Sequence, residues 1–133
     1  MDETHNSEYS WTIEYVERQN IVKVVVENDF CANGHTKMIG NIVSQKFWNP
    51  GMNLLIDDRK VKFKNTDIEL VKKVSEGFRA FGKELGNGKT AILMGSLSDY
   101  ARGRQFELLT DDKVSTDIEI FMDEEKALSW LIS

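Results

Sequence analysis

The sequence predicts a single α/β domain: a five-stranded, mostly parallel sheet with an antiparallel first edge strand and four helices, in the order β-β-α-β-α-β-α-β-α. Three observations carry this. A chain of 133 residues, 41% of them hydrophobic, can build one core, and folding at this size buries about two-thirds of the surface of the unfolded chain. Short β-branched runs alternate with longer stretches of helical period, which calls for right-handed crossovers between parallel strands. The chain closes on Asp117-Ile-Glu-Ile-Phe-Met122, a strand pattern, followed at once by Asp123-Glu-Glu-Lys-Ala-Leu-Ser-Trp-Leu-Ile132, a helix pattern.

Residues 1 to 10 are polar and acidic and are expected to form a flexible tail ahead of a domain at 11–133. Trp11 to Glu17 alternates as a half-buried strand, Arg18-Gln-Asn20 turns, and Ile21-Val-Lys-Val-Val-Val26 is continuous enough for a strand covered on both faces. Together they read as an opening hairpin. Between Asp29 and Phe47 the period changes, with Met38, Ile39, Ile42, Val43 and Phe47 near one helical stripe that Asn49-Pro50-Gly51 stops. Asn53 to Asp57 is a short buried strand, and Asp57-Asp58-Arg59 is read as its exit into a loop. Beyond it, Lys60, Lys62 and Lys64 alternate with Val61 and Phe63 in an extended connection. A helix capped by Asn65 or Thr66 follows, its apolar positions Ile68, Val71, Val74, Phe78, Phe81 and Leu85 recurring to Gly86-Asn-Gly88. Lys89 to Met94 is the next buried strand. Gly95-Ser-Leu-Ser98 then turns into a helix from Asp99 to about Leu109, and Asp111-Asp112-Lys113 returns to the closing strand. Asp123 caps the last helix, with Glu124 and Glu125 placed favourably at its positive end.

The formal net charge of -5 and the sequence pI near 5.1 argue against a nucleic-acid footprint, which needs clustered Lys and Arg. The lone Cys31 excludes an internal disulfide. With only His5 and His35 beside it, there are too few soft ligands for a structural zinc site. No run approaches a membrane span, so the expectation is a cytoplasmic protein that is not integral to a membrane and has no cofactor or metal.

The stretch Phe121-Met-Asp-Glu-Glu-Lys-Ala-Leu-Ser-Trp-Leu131 resembles the ending of bacterial STAS/SEC14-like domains, also called SpoIIAA-like. Those domains finish on a strand and an acidic helix carrying Ala, Leu, Trp and Leu. The likeness covers roughly residues 12 to 132, through Asn53-Leu-Leu-Ile-Asp-Asp58 and Lys89-Thr-Ala-Ile-Leu-Met94, and it is a pattern of core positions. It implies sequentially arranged, mainly parallel strands wrapped by helices, with no activity attached. Members that are anti-sigma-factor antagonists switch by phosphorylation of a serine in an Asp-Ser-Ser/Thr-Gly motif after the third strand. Here Asp57-Asp58-Arg59-Lys60 stands in that place without the hydroxyl, which puts such a switch in doubt. Helices of SEC14-like members can part to admit a lipid tail, so aromatics expected in the core (Phe78, Phe81, Phe106, Phe121 and Trp130) would in that case line a cavity.

Four other features are weighed against ordinary structure. Gly86-Asn-Gly-Lys-Thr90 is not a phosphate loop, because Lys83 stands where the earlier glycine is required and the stretch runs from helix to strand. Asp57, Asp58, Arg59 and Lys60 sit at a strand exit, where α/β sheets bind ligands. With Ser96 and Ser98 at the start of the following helix, they are the candidate ligand- or partner-binding residues, although adjacent acids diverge in direction and commonly serve as caps. Cys31 and His35 lie four apart, close enough for a nucleophile and base, but no orienting group or oxyanion site can be assigned to them. A buried or half-buried thiol is the plainer expectation. The lysine strip with Arg59 reads as solvated loop charge or a patch for an acidic partner, and Arg102 and Arg104 point to different sides of their helix.

The expected function is a non-enzymatic protein-binding domain in bacterial regulation, acting on a protein partner or as a homodimer. The alternative is a small apolar-ligand or lipid-binding protein of SEC14-like type. A third reading, an enzyme using Cys31 and His35 or Asp57 and Asp58, requires the Cys31 and His35 side chains to meet in a cleft.

Overall fold

Asn20 takes the left-handed backbone conformation, φ 54°, which asparagine tolerates better than most residues, and this reverses the chain after a short 3-10 turn. The reversal pairs β1 (Ser10–Val16) with β2 (Ile21–Asp29) antiparallel, Trp11 opposite Val26 and Tyr15 opposite Val22. The structure, a computed structural model, describes residues 8–63, 68–110 and 113–133. His5, Lys64, the caps expected at Asn65 or Thr66, the turn at Asp111-Asp112 and most of the expected tail lie outside the described residues.

After the hairpin come α1 (Ala32–Val43), β3 (Asn53–Lys62), α2 (Ile68–Ala80), α3 (Gly82–Leu85), β4 (Lys89–Leu93), α4 (Leu97–Thr110), β5 (Asp117–Phe121) and α5 (Glu124–Ile132). The sheet order is β1-β2-β3-β4-β5. All pairs after the first are parallel, so the fold class expected from the sequence is the one observed.

Strand parity sorts the core into two layers. Val22, Val24, Val26, Leu54, Ile56 and Ile118 face one side and pack with Met38, Ile39 and Ile42 of α1, Phe78 of α2 and Phe106 of α4. Ile21, Leu55, Ala91 and Leu93 face the other side, beneath Ala127 and Leu131 of α5. Asp123 accepts from the Glu125 amide at 3.0 Å, the cap that the sequence predicts. Trp130 and Phe121 are half-buried rather than core residues. Their rings tilt together at 5.7 Å, and Lys89 Nζ lies 5.3 Å from the Trp130 ring, within cation-π range.

Three expectations about element bounds are corrected. The helix expected through Leu85 breaks at Phe81 (φ -112°, ψ 27°), which makes five helices among the described residues where four are expected. The cause is tertiary: Phe81 is wedged against α1 at Gly40, where a Cβ would lie 2.8 Å from Phe81 Cζ. The continuation is held instead by the turn after α1, through Trp48 Nε1 to the Glu84 carbonyl and the Gly51 amide to the Leu85 carbonyl. α1 itself stops at Val43, short of Phe47, whose ring stacks on Tyr15 at 5.0 Å. Finally, β3 does not exit at Asp57 but runs to Lys62, because β2 also runs on to Asp29 and keeps pairing with it. No described helix is long and apolar enough to cross a membrane.

Candidate functional site

The extra length of β3 contains an irregularity. Val25 lies opposite Asp57 and Glu27 opposite Lys60, so β3 carries one residue more than its partner across this step. Such a bulge re-aims side chains locally. Asp58 keeps the parity of Leu54 and Ile56 and faces the α1, α2 and α4 side, where it lines a cavity. Asp57 and Arg59 face the α5 side. Past the bulge, Val61 returns to the first core layer.

On the α5 side, Arg59 donates through Nε and Nη2 to Asp57 at 2.9 and 2.7 Å and through Nη2 to Glu124 at 3.0 Å. Lys23 adds a contact to Glu124 at 2.9 Å. Burial works against ionisation of Asp57, but the Arg59 hydrogen bonds and charge, helped by Lys23, hold its carboxyl below the usual range. This group clamps the first turn of α5 to the sheet. The two acids thus share neither a ligand nor a direction.

The cavity on the opposite side measures about 310 Å³, at the small end of ligand pockets. Phe30 and Phe63 stack at 5.1 Å on one wall, Val71 and Val74 of α2 form another, and Ile92, Met94 and Phe106 close it. Gly95 brings the turn into α4 against the bulge, since a Cβ there would lie 2.7 Å from the Arg59 carbonyl oxygen. Asp99 and Arg102, paired at 3.0 Å, line the cavity from α4.

Two of the polar side chains in this lining are buried. Asp58 is 5% exposed and His35 is 3% exposed; Asp58 Oδ1 and His35 Nδ1 are buried with no hydrogen-bond partner. Burial first, then the Asp57 and Asp99 carboxylates, push the Asp58 carboxyl up to about 7. Burial lowers the His35 imidazole to about 4, so it is neutral at neutral pH. The ring sits between Phe30 at 6.0 Å and Phe78 at 5.2 Å. An unpaired buried polar atom typically costs about 1–3 kcal/mol, so both residues carry an unsatisfied atom at the cavity wall.

The remaining candidates fall elsewhere. Cys31 is exposed, contrary to the expectation of a buried or half-buried thiol: it occupies the N-cap of α1, where Sγ accepts from the Gly34 amide at 3.3 Å. His35 lines the cavity, and its Nδ1 is buried without a hydrogen-bond partner among the described residues. Lys60 and Lys62 are exposed at the end of β3. Ser96 and Ser98 are exposed, their hydroxyls 3.3 Å apart, and Ser96 Oγ accepts from the Asp99 amide at 3.1 Å. Arg102 and Arg104 do diverge, Arg102 to Asp99 and Arg104 to Glu107 at 3.0 Å.

Sequence reasoning found Asp58 but tied it to Asp57, and it found His35 but tied it to Cys31. Of the walls, Phe106 alone is among the aromatics expected to line a cavity in the lipid-binding alternative; Phe30, Phe63 and the aliphatic residues are not. One usable signal was strand parity, which groups Asp58 with Leu54 and Ile56 and separates it from Asp57.

No family model and no curated protein matches the sequence. Solved structures do match across nearly the whole chain. An uncharacterized protein of the DUF3478 family with a SpoIIAA-like fold, from Shewanella loihica, is 15% identical, with a TM-score of 0.59 over 92% of this chain and 93% of that one. An anti-sigma factor antagonist from Mycobacterium paratuberculosis is 18% identical, with a TM-score of 0.58 over 96% of this chain and 97% of that one. Identities this low speak to architecture alone. The chain has the SpoIIAA-like fold to which its closing strand and helix pointed.

Proposed function

We propose that the chain is a non-enzymatic binding domain whose cavity receives a small, largely apolar molecule with one polar end. The observation that carries this reading is a largely apolar cavity of about 310 Å³ whose lining includes the buried polar residues Asp58 and His35. A ligand filling it removes apolar surface from water and gives the polar part of the wall a partner. Neither side chain has the oriented base and oxyanion donors that nucleophilic catalysis needs. The test is an amide NMR titration with phenylpropanol, phenylpropylamine and phenylpropanoate, which share one apolar body and differ in the polar end. At least one should give saturable shifts at the amides of His35, Asp58, Phe63 and Met94, and Val74→Phe, which fills the cavity, should abolish them. Unmoved cavity amides with all three probes would end this reading.

A second reading, a protein-binding surface, is favoured by α4. Leu97 and Leu108 are 74% and 72% exposed, and their spacing, about three helical turns, puts them on one face. The Mycobacterium paratuberculosis structure with the same fold is an anti-sigma factor antagonist, in keeping with a regulatory protein contact. Pull-down from a native bacterial lysate should recover a protein with the wild-type bait and lose it with Leu97→Glu/Leu108→Glu. Equal recovery by both baits argues against the surface.

A further inference from the structure

We propose that the ligand of this cavity is an apolar amine, held as its ammonium ion by the Asp58 carboxyl group, with His35 on the same lining. This rests on the reading of the cavity as a ligand site and adds the chemical class of the occupant. The case begins with charge. Asp58 is buried with one carboxyl oxygen unpaired; its carboxyl is raised to about 7, and once ionised a buried carboxylate needs an opposite charge. No described cation supplies it. Arg59, one residue on, is turned to the other face of the sheet and engaged by Asp57 and Glu124. Arg102 does line the cavity, but its guanidinium is bonded to Asp99 at 3.0 Å. The charges felt at Asp58 are those of Asp57 and Asp99, both negative. A carboxylate or phosphate end would therefore enter a site already short of positive charge, whereas an ammonium supplies what is missing.

The hydrogen-bond inventory leads to the same class. His35 is neutral when burial holds its imidazole at about 4, and with the proton on Nε2 its Nδ1 is an acceptor. Ionised Asp58 offers acceptors only, and a neutral His35 shares the same lining. An ammonium carries three donors and no acceptor, so it suits such a wall better than a hydroxyl with its single proton. The lining adds a third element, because Phe30, Phe63 and Phe106 all border the cavity, and aromatic faces attract ammonium ions. The apolar wall from α2 suits a short hydrocarbon body, and the cavity's volume limits the whole to a small molecule.

The same three probes test the class. Dissociation constants measured by calorimetry, with NMR confirming the cavity amides, should place phenylpropylamine at least about tenfold tighter than phenylpropanol and phenylpropanoate, as a charge-assisted hydrogen bond exceeds a neutral one. Asp58→Asn, its fold verified by its amide spectrum, should remove the amine's advantage over the alcohol. If the alcohol or the acid binds the cavity as tightly as the amine, or if the amine's advantage survives Asp58→Asn, the proposal is overturned and the cavity remains a ligand site. If no probe moves the cavity amides, both fall together.

Discussion

Asp58→Asn is expected to gain stability over the wild-type protein as pH rises, by about 4 kcal/mol between pH 4 and pH 7. The carboxyl is raised from 3.8 to about 7 by burial and then by Asp57 and Asp99. Over that window the folded protein keeps the proton and the unfolded chain does not, so the stability contributed by protonated Asp58 is complete below the unfolded value and lost as pH climbs to about 7. Asparagine has no proton to lose, so the difference between variant and wild type grows through the window and then levels. His35 works in the opposite sense. Its imidazole is lowered from 6.5 to about 4 by burial, so the unfolded chain binds a proton that the folded one refuses, and stability is lost as pH falls below 6.5. That loss amounts to about 3 kcal/mol, and His35→Leu should abolish it. The two slopes largely cancel in the wild-type protein. They separate only in the variants; the groups coupled to Asp58 are the Asp57 and Asp99 carboxylates that raise it and the Tyr9 phenol, which burial and then the Asp58 charge raise. Urea denaturation across the pH range measures both, and a pH-independent difference between Asp58→Asn and wild type would mean that Asp58 is not buried as described.

Phe78→Ala is expected to cost about 3–5 kcal/mol, the range for removing a fully buried phenyl ring. Phe78 is 0% exposed and lies 5.2 Å from the His35 ring and 5.9 Å from the Phe106 ring, so it sits behind two residues that border the cavity. Its loss would remove burial and loosen the wall together. Trp130→Ala removes a larger side chain but should cost less, since Trp130 is only half-buried. Urea midpoints of the two variants decide the order. A domain of ordinary stability has only about 5–15 kcal/mol in hand, so Phe78→Leu, a milder truncation, supplies a measurable point if the alanine variant is largely unfolded. A loss under about 1 kcal/mol for Phe78→Ala would contradict its placement at the centre of the first core layer.

The candidate site was only half legible in advance. Asp58 and His35 are conspicuous in the sequence as an acid in a paired motif and as one of only two histidines. Each was matched with its sequence neighbour, because spacing along the chain is the only proximity a sequence displays. The pairs dissolve in three dimensions for different reasons. Asp57 and Asp58 point to opposite faces of a strand, where Arg59 and Glu124 claim the first and the cavity the second. Cys31 ends as a helix cap, its sulfur engaged by the Gly34 amide, while His35, one turn later on α1, is carried inward between Phe30 and Phe78.

What the sequence by itself determined is the order of strands and helices, the hairpin at Asn20 and the capped last helix at Asp123. These follow from hydrophobic period, turn residues and caps, all of which act within a few residues of one another. Only the tertiary structure decided that β3 continues past Asp57, because its later residues are held by pairing with β2, a partner distant in the chain. The break at Phe81 likewise depends on packing against Gly40 of another helix. The cavity depends on both kinds of information. Strand parity aims Asp58, and the bulge beyond it keeps that aim while β3 regains its register. The packing of α1, α2 and α4 over the same face then closes apolar walls around an acid and a histidine left without partners.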